Sequence, residues 1–156
     1  MLKYQKIVVT GFLLKDEKVL LIKRKKEEKF LPEYFEMPGG KVDFGEDPKE
    51  SLRREFKEEV GLDIRVEKPY RTFSYESENS ARHTVEIVYV TCLQDTREEK
   101  VDIVLGKDHT KYIWVKKDTL EPLLISREMK KSIECGFEEE GKYNKLKESL
   151  EKDILH

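Results

Sequence analysis

The chain of 156 residues carries 31 Lys and Arg against 33 Asp and Glu, which gives a formal net charge of −2. This balance excludes a polycation that coats nucleic acid, and we expect no nucleic-acid partner. Hydrophobic residues make up 37% of the chain, with 7 Phe and 7 Tyr, so we expect one core in a single domain. The longest apolar stretch, residues 7–14, is far shorter than the about 20 residues that span a bilayer. We therefore predict no membrane span and, since Cys92 and Cys135 lie in no metal-ligating spacing, a cytoplasmic location.

Two apolar runs open the chain. Residues 7–14 and 19–23 are separated by the charged residues 15–18, and this pattern predicts two antiparallel strands joined by a hairpin loop. The next segment, residues 23–30, reads KRKKEEKF. A run of mixed charge is typical of a solvated loop.

A helix is predicted over residues 48–60 by signals at both of its ends. Asp47 is a suitable N-cap, Pro48 stands at the first helical position, where its missing N–H costs nothing, and Glu50 completes a capping box. Gly61 suits the left-handed conformation that ends many helices.

Three later segments rich in β-branched and aromatic residues are predicted as strands: residues 63–75, 84–93 and 112–115. Ser126 is the candidate cap of a second helix that ends near residue 133. A separate amphipathic helix is predicted in the tail, residues 137–156, from apolar residues at helical spacing: Tyr143, Leu146, Leu150 and Ile154. This spacing leaves two alternatives open, because the tail packs either on its own domain or on a partner subunit in a homodimer.

Three carboxylates share one face of the predicted first helix, because Glu55, Glu58 and Glu59 stand at positions i, i+3 and i+4. Like charges at this spacing repel, each pair costing roughly a few tenths of a kcal/mol, so a positive group is expected among them. A divalent cation with oxygen ligands, Mg²⁺ or Mn²⁺, has the matching chemistry. A chance cluster on a charged surface helix is the alternative interpretation.

The residues around these carboxylates favour the first interpretation. From Gly40 to Leu62 the chain reads GKVDFGEDPKESLRREFKEEVGL. This segment resembles the Nudix box at every fixed position, with Phe56 where the family more often has an aliphatic residue. The approach to the box, FEMPGGK, and the later segment around Trp114 also look like small MutT-type members, so the resemblance covers roughly residues 6–133.

The resemblance implies a Nudix hydrolase, an enzyme that splits a pyrophosphate linkage in a nucleoside diphosphate joined to another group. It implies an α/β (α+β) fold, in which a mixed β-sheet is sandwiched between α-helices in a single domain. We assign residues 1–136 to this domain, with residues 137–156 as part of it or as a dimer contact.

The resemblance also implies a set of metal ligands: Glu55, Glu58, Glu59, the backbone carbonyl of Gly39 and, from a loop outside the box, Asp108. Glu98, Glu99 and Asp102 are alternatives to Asp108. Either Glu55 or Glu59 is the candidate general base, and the sequence leaves that choice open.

Other residues are expected to assist. Arg54 is expected to orient Glu55 through a charge-assisted pair, and Glu46 to support the metal site. Arg24, in the charged segment, and Lys41 are the candidates for contacting substrate phosphates. The remaining polar candidates, His83 and His109, are interpreted as ordinary surface or strand residues, because neither lies in metal-ligating spacing.

The substrate is less well specified. Gly39, Gly40 and Lys41 look like the nucleoside-triphosphate members, which favours a (d)NTP that yields the monophosphate and pyrophosphate. ADP-ribose or a nucleotide sugar is the runner-up, although Ser77 and Glu78 stand where ADP-ribose members tend to carry a Pro. The base-reading Asn of the oxidised-guanine enzyme has no counterpart in residues 116–135. Two further alternatives are a non-catalytic nucleotide-binding sensor, which the intact carboxylates disfavour, and capped-RNA processing through the charged segment.

Overall fold

The computed structural model describes residues 2–77, 79–97 and 100–155. Within these ranges the chain forms seven strands and two helices: β1 (Tyr4–Lys15), β2 (Lys18–Arg24), β3 (Phe35–Glu36), β4 (Gly39–Lys41), α1 (Pro48–Val60), β5 (Ile64–Ser77), β6 (Arg82–Leu93), β7 (His109–Lys116) and α2 (Arg127–Leu155). A single 3₁₀ turn, Lys117–Thr119, precedes α2. Neither helix in the described ranges is long and apolar enough to cross a membrane.

The predicted N-terminal hairpin is confirmed, with a shorter loop than expected. Lys15 and Lys18 are paired across β1 and β2, so only Asp16 and Glu17 form the turn. Both turn residues have positive φ, 52° and 64°. A two-residue turn of this kind matches the right-handed twist of the flanking strands.

The sheet is mixed, as the resemblance implied. β1 runs parallel to β6 from Tyr4 to Leu13 and antiparallel to both β2 and β4. β5 pairs antiparallel with the other edge of β6, and β2 pairs with β3 and β7. The two short strands β3 and β4 were not predicted from the sequence. They bring the approach to the box into the sheet, β3 beside β2 and β4 beside β1.

Alternating side chains of the sheet supply two cores, one under each helix. On one face, α1 packs its buried residues Leu52, Phe56 and Val60 against Val9, Leu13 and Tyr89. On the other face, α2 packs Met129 and Ile133 against Phe12 and Val88. Neighbouring residues of a strand point to opposite faces, so the sheet lies between the helices.

The predicted first helix is confirmed at both ends. The Asp47 side chain accepts a 2.9 Å hydrogen bond from the Lys49 N–H, and Pro48 is the first helical residue. Gly61 ends the helix in the left-handed conformation, with φ of 72°, and its N–H bonds back to the Lys57 carbonyl. These caps fix the angular position of the carboxylate face of α1.

The C-terminal region differs from the prediction of two separate helices, because α2 is one continuous helix of 29 residues. The Glu and Lys residues between the two predicted helices are good helix formers. Gly136 interrupts the pattern, but it lies against the buried ring of Phe12, where a larger residue would not fit. The assignment of residues 1–136 and 137–156 as domain and tail stays a prediction.

Candidate active site

A cleft of about 920 Å³ lies on the α2 side of the sheet, where β4, α1 and the start of β7 meet. Its acidic wall includes Glu55 and Glu59 of α1. Six cationic side chains also line it: Lys6, Arg24, Lys25, Lys29, Lys41 and Arg82. Among the described residues, seven acidic side chains line the same cleft: Glu27, Glu28, Glu36, Glu55, Glu59, Glu86 and Asp108. The lysines and arginines therefore do not make the cleft positive by themselves, and a ligand with several negative charges would need a bound cation there as well.

Glu59 and Glu55 are the buried members of the three predicted carboxylates, with 16% and 15% of their side chains exposed. Oε1 of Glu59 accepts a 2.8 Å hydrogen bond from the Gly39 N–H, which joins α1 to β4. Burial raises the pKa of Glu59 well above its usual range, and the neighbouring carboxylates Glu36, Glu55 and Asp108 raise it further. The ionised form of Glu59 would therefore be stabilised by an added positive charge.

Glu55 lies one turn earlier on α1 and is packed under β4. A side chain at Gly40 would overlap the Glu55 carboxyl, so only glycine permits this close approach. Burial raises the pKa of Glu55, and the adjacent guanidinium of Arg54 partly offsets that effect. Glu55 and Glu59 thus project into the cleft from the same helix face.

Arg54 is the centre of a charge network. Its Nη1 lies 3.0 Å from Glu55 and 3.4 Å from Glu58, and its Nη2 donates to the Lys41 carbonyl at 3.1 Å. A positive group was expected among the three carboxylates. For Glu55 and Glu58, the guanidinium of Arg54 is such a group. The contact expected between Arg54 and Glu55 is present in the structure.

The Glu46 carboxylate accepts two hydrogen bonds from the guanidinium of Arg54, from Nε at 2.8 Å and from Nη2 at 2.9 Å. It also accepts hydrogen bonds from the Ser51 hydroxyl and the Asp43 N–H. The hydrogen bonds from Arg54 lower the pKa of Glu46 to about 2, with help from Ser51. Glu46 therefore lies behind Arg54, where it positions the guanidinium.

Within the described ranges, no three carboxylate, histidine or cysteine side chains are gathered closely enough to surround a metal ion. The donor chemistry nevertheless fits a hard divalent cation, because Glu55 and Glu59 offer oxygen ligands. The nearby carboxylates of Glu36, Glu55 and Asp108 raise the pKa of Glu59, so negative potential is concentrated around the Glu59 carboxyl. Glu58 is 59% exposed and bound to Arg54, so its side chain would have to turn toward the cleft to join them.

Asp108 lies at the rim of the same cleft, 53% exposed, and its Oδ1 contacts Lys25 Nζ at 3.1 Å. The hydrogen bond from Lys25 lowers the pKa of Asp108. Among the predicted alternatives, Asp102 lies in a separate depression near Gly61. Glu98 and Glu99 lie outside the described residues, as does Glu78.

The two predicted phosphate contacts have different surroundings. Arg24 lines the cleft, but its guanidinium already contacts Glu36 at 3.1 Å, Glu28 at 3.3 Å and the Phe30 carbonyl at 3.0 Å. Lys41 is exposed at the cleft edge on β4. Of the two, Lys41 has the more accessible charge.

His109 also belongs to the site, although the sequence did not predict it as a site residue. Its side chain is 4% exposed, with Nε2 3.0 Å from Glu36 and Nδ1 3.4 Å from Glu59. His109 is a strand residue, as one of the two interpretations held, but it is buried and not on the surface. The pairing of β7 with β2 places it against Glu36 and Glu59. A histidine directly after Asp108 was the only signal in the sequence. His83 instead lies outside the cleft lining and contacts Gln5 at 3.0 Å.

Comparisons with known proteins agree with this architecture. The chain is 37% identical over 84 residues to a protein named ADP-ribose pyrophosphatase from Methanocaldococcus jannaschii, a match that covers 54% of this chain and 48% of the relative. It is 39% identical over 74 residues to a protein named 8-oxo-dGTP diphosphatase from Buchnera aphidicola, covering 47% of this chain and 55% of the relative. The chain thus spans about half the length of the curated relatives it matches.

The solved structure of a MutT protein from Methanosarcina mazei superposes with a TM-score of 0.74 at 22% identity, covering 90% of this chain and 97% of that chain. This similarity shows the shared fold. A family model described as the NUDIX domain matches residues 5–134, which include both core faces and the cleft. The chain belongs to the NUDIX family.

Proposed function

We propose that this chain is a metal-dependent pyrophosphohydrolase, and that it cleaves a nucleoside triphosphate into a nucleoside monophosphate and pyrophosphate. The observation that carries this proposal is the cleft itself. It brings two partly buried carboxylates, Glu55 and Glu59, into one cleft with several lysines and arginines. A phosphate chain brings several negative charges, and such a substrate needs both kinds of group.

In this proposal, different residues bind the phosphates, accept the proton of the attacking water and position the carboxylates. Lys41, with the other cations of the cleft, binds and orients the phosphate oxygens. A carboxylate, Glu55 or Glu59, accepts the proton of the attacking water as its oxygen bonds to phosphorus. The bond between phosphorus and the bridging oxygen breaks, and that oxygen leaves with the pyrophosphate. Arg54, held by Glu46, keeps Glu55 in place.

Glu55, Glu59, the Gly39 carbonyl and, after a side-chain rotation, Glu58 would hold Mg²⁺ or Mn²⁺, with Asp108 available at the rim. When bound, the ion neutralises phosphate oxygens and lowers the pKa of a coordinated water. The elevated pKa of Glu59 supports this assignment, because a nearby cation would favour its ionised form.

The names of the two relatives support cleavage of a nucleotide pyrophosphate, and they point to two substrates. The relative named 8-oxo-dGTP diphosphatase favours a nucleoside triphosphate. The relative named ADP-ribose pyrophosphatase favours the runner-up, ADP-ribose or a nucleotide sugar. A binding-only sensor is less consistent with the cleft, since Glu55, Glu58 and Glu59 are all present on its helix.

The test is product analysis by mass spectrometry on a pool of nucleoside triphosphates, an oxidised dGTP, ADP-ribose and nucleotide sugars, with Mg²⁺ and with chelator. Metal-dependent release of a monophosphate and pyrophosphate supports the proposal. A monophosphate with a sugar phosphate supports the runner-up. Nucleotide binding without cleavage supports the sensor and contradicts the proposal. Salt-sensitive binding of an RNA oligonucleotide would instead support the capped-RNA alternative.

The possible homodimer stays a prediction. The apolar residues predicted in the tail are exposed to solvent in the chain by itself: Tyr143 by 64%, Leu146 by 60%, Leu150 by 54% and Ile154 by 82%. This exposure is more consistent with a contact to a partner subunit than with packing on the same domain.

A further inference from the structure

Glu86 is a buried carboxylate for which the proposed hydrolysis gives no role. It lies on β6 with 6% of its surface exposed, and its Oε1 accepts a 2.8 Å hydrogen bond from the Thr10 hydroxyl. Burial raises the pKa of Glu86 to about 7. Burial at the floor of a cleft destabilises the ionised form of this carboxylate. A buried carboxylate in such a position is a candidate for ligand recognition.

The sheet register sets the distance between Glu86 and the proposed phosphate site. Lys41 of β4 pairs with Val8 of β1, Val8 pairs with Glu86 of β6, and Glu86 pairs with Phe73 of β5. Neighbouring strands are about 4.8 Å apart, so Glu86 lies roughly 10 Å from Lys41, with Phe73 one strand further away. A nucleotide whose phosphates lie at β4 would extend its base along this row toward Glu86.

Beyond Glu86, the cleft continues into a smaller cavity of about 320 Å³, which we call the aromatic recess. Both cavities are lined by Glu86, Tyr75 and Phe30. The recess is lined by five aromatic side chains: Phe30, Tyr34, Phe35, Phe73 and Tyr75. The rings of Phe30 and Tyr75 are parallel within 1°, with centroids 6.0 Å apart. Flat aromatic surfaces of this kind stack on any nucleobase, whereas a polar group is needed to distinguish one base from another.

We propose that the aromatic recess is a nucleobase subsite, and that Glu86 selects a base that presents two neighbouring N–H donors on one edge, as guanine does at N1 and N2. The assignment of a nucleotide rests on the proposed function. An ionised carboxylate only accepts hydrogen bonds, and after the bond from Thr10 both oxygens of Glu86 keep acceptor capacity. Adenine places an acceptor, N1, beside its N6 donor, so one lone pair would face the carboxylate unpaired.

The first test compares GTP and ATP as competing substrates at pH 8, where Glu86 is mainly ionised. In Glu86→Gln the amide offers one acceptor and one donor, and it can still accept from Thr10. We expect this variant to reduce the ratio of kcat/KM for GTP over ATP by roughly ten- to a hundredfold. The matched control is Glu67→Gln, because Glu67 lies on β5 outside both cavities and pairs with Arg65. The control should leave the ratio unchanged.

The second test separates recognition from hydrolysis, because it measures equilibrium binding of GMP and AMP, which contain no anhydride to cleave. The wild type should bind GMP more tightly, and Glu86→Gln should remove that preference. Tyr75→Leu removes a stacking ring but no base-reading group, so it should weaken both nucleotides alike and keep their ratio. This variant still tests the recess if Glu86→Gln does not fold.

The outcomes distinguish the two proposals. Equal preference for the two nucleotides in the wild type, or an unchanged ratio in folded Glu86→Gln, overturns the role of Glu86 even if triphosphates are cleaved. Undiminished binding of both nucleotides by Tyr75→Leu overturns the recess as the base subsite. GMP binding that depends on Glu86, without cleavage of any triphosphate, supports the subsite and contradicts the proposed hydrolysis.

Discussion

The N–H of Gly39 donates a 2.8 Å hydrogen bond to Oε1 of Glu59, across 20 residues of sequence. This bond joins β4, which pairs with β1, to the helix that carries the other box carboxylates. Gly39 lies so close to the Val9 backbone that a side chain there would overlap it. The absence of a side chain at Gly39 therefore lets β4 lie close against β1, and the Gly39 N–H in turn holds Glu59 at the cleft.

Glu59→Gln should keep the fold and lower turnover by at least about a hundredfold, because the amide still accepts from Gly39 but loses the charge needed for a metal or a proton. Steady-state kinetics with Mg²⁺ and circular dichroism measure the two effects. Glu50→Gln on the same helix is the matched control, since Glu50 is 65% exposed and pairs with Arg53 outside the cleft. Turnover in Glu59→Gln that matches Glu50→Gln would contradict the role of Glu59.

Glu46→Gln tests the network around Arg54 through acid stability. Because the folded-state pKa of Glu46 is about 2, below its ordinary value of 4.5, the ionised carboxylate stabilises the fold at neutral pH. That contribution is fully present above about pH 4.5 and is lost as the pH falls toward 2. The wild type should therefore have the higher unfolding midpoint at pH 7, and the gap should close in this acidic range. A gap that is independent of pH would show that ionisation of Glu46 does not stabilise the fold.

The stability difference between the wild type and Glu86→Gln should change with pH in the opposite direction to that of Glu46→Gln. Burial and the carboxylate of Glu36 raise the pKa of Glu86 from 4.5 to about 7, while Thr10 and Arg71 act to lower it. Ionisation therefore destabilises the folded wild type increasingly from about pH 4.5 to 7, by up to about 3 kcal/mol. Urea unfolding should show the variant to be more stable at pH 8 and nearly equal to the wild type at pH 4. A variant that is less stable at pH 8 would contradict this account of Glu86.

Two glycines of α2 form a matched pair for a packing test. A side chain at Gly136 would overlap the buried ring of Phe12, so Gly136→Ala should lower the free energy of unfolding by at least about 1 kcal/mol despite its better helix propensity. A side chain at Gly141 would meet no atom of the described residues within 4 Å. Gly141→Ala should raise stability by up to about 1 kcal/mol. Denaturant titration of both variants measures the difference, and equal effects would show that α2 does not pack on Phe12 in this way.

Deletion of residues 141–156 tests the predicted tail. Because Tyr143, Leu146 and Leu150 are all more than half exposed in the single chain, the truncated chain should remain folded. Analytical ultracentrifugation should show a loss of oligomer mass beyond that of the deleted residues, as expected for a dimer contact. A monomeric full-length chain with the same frictional behaviour as the truncated one would reject that contact.

Local signals predicted the parts of the site that depend on one segment. The caps at Asp47 and Gly61 and the box spacing were sufficient to place Glu55 and Glu59 on one face of α1. The sequence did not predict His109, because its position depends on the pairing of β7 with β2. Glu86 alternates with Val85 and Ile87 as in a half-exposed strand, and only the covering of that sheet face by the charged segment and α2 buries it. Contacts of this kind arise from tertiary packing, which periodicity does not encode.

The most direct test of the proposed hydrolysis is phosphorus-31 NMR of the purified chain with GTP and Mg²⁺, repeated with excess chelator and with Glu59→Gln. We expect GMP and pyrophosphate to form in equal amounts with Mg²⁺, and neither product to form with chelator. Glu59→Gln should form both at least about a hundredfold more slowly. Release of orthophosphate with GDP, or formation of GMP and pyrophosphate at the same rate with chelator, would contradict a metal-dependent pyrophosphohydrolase.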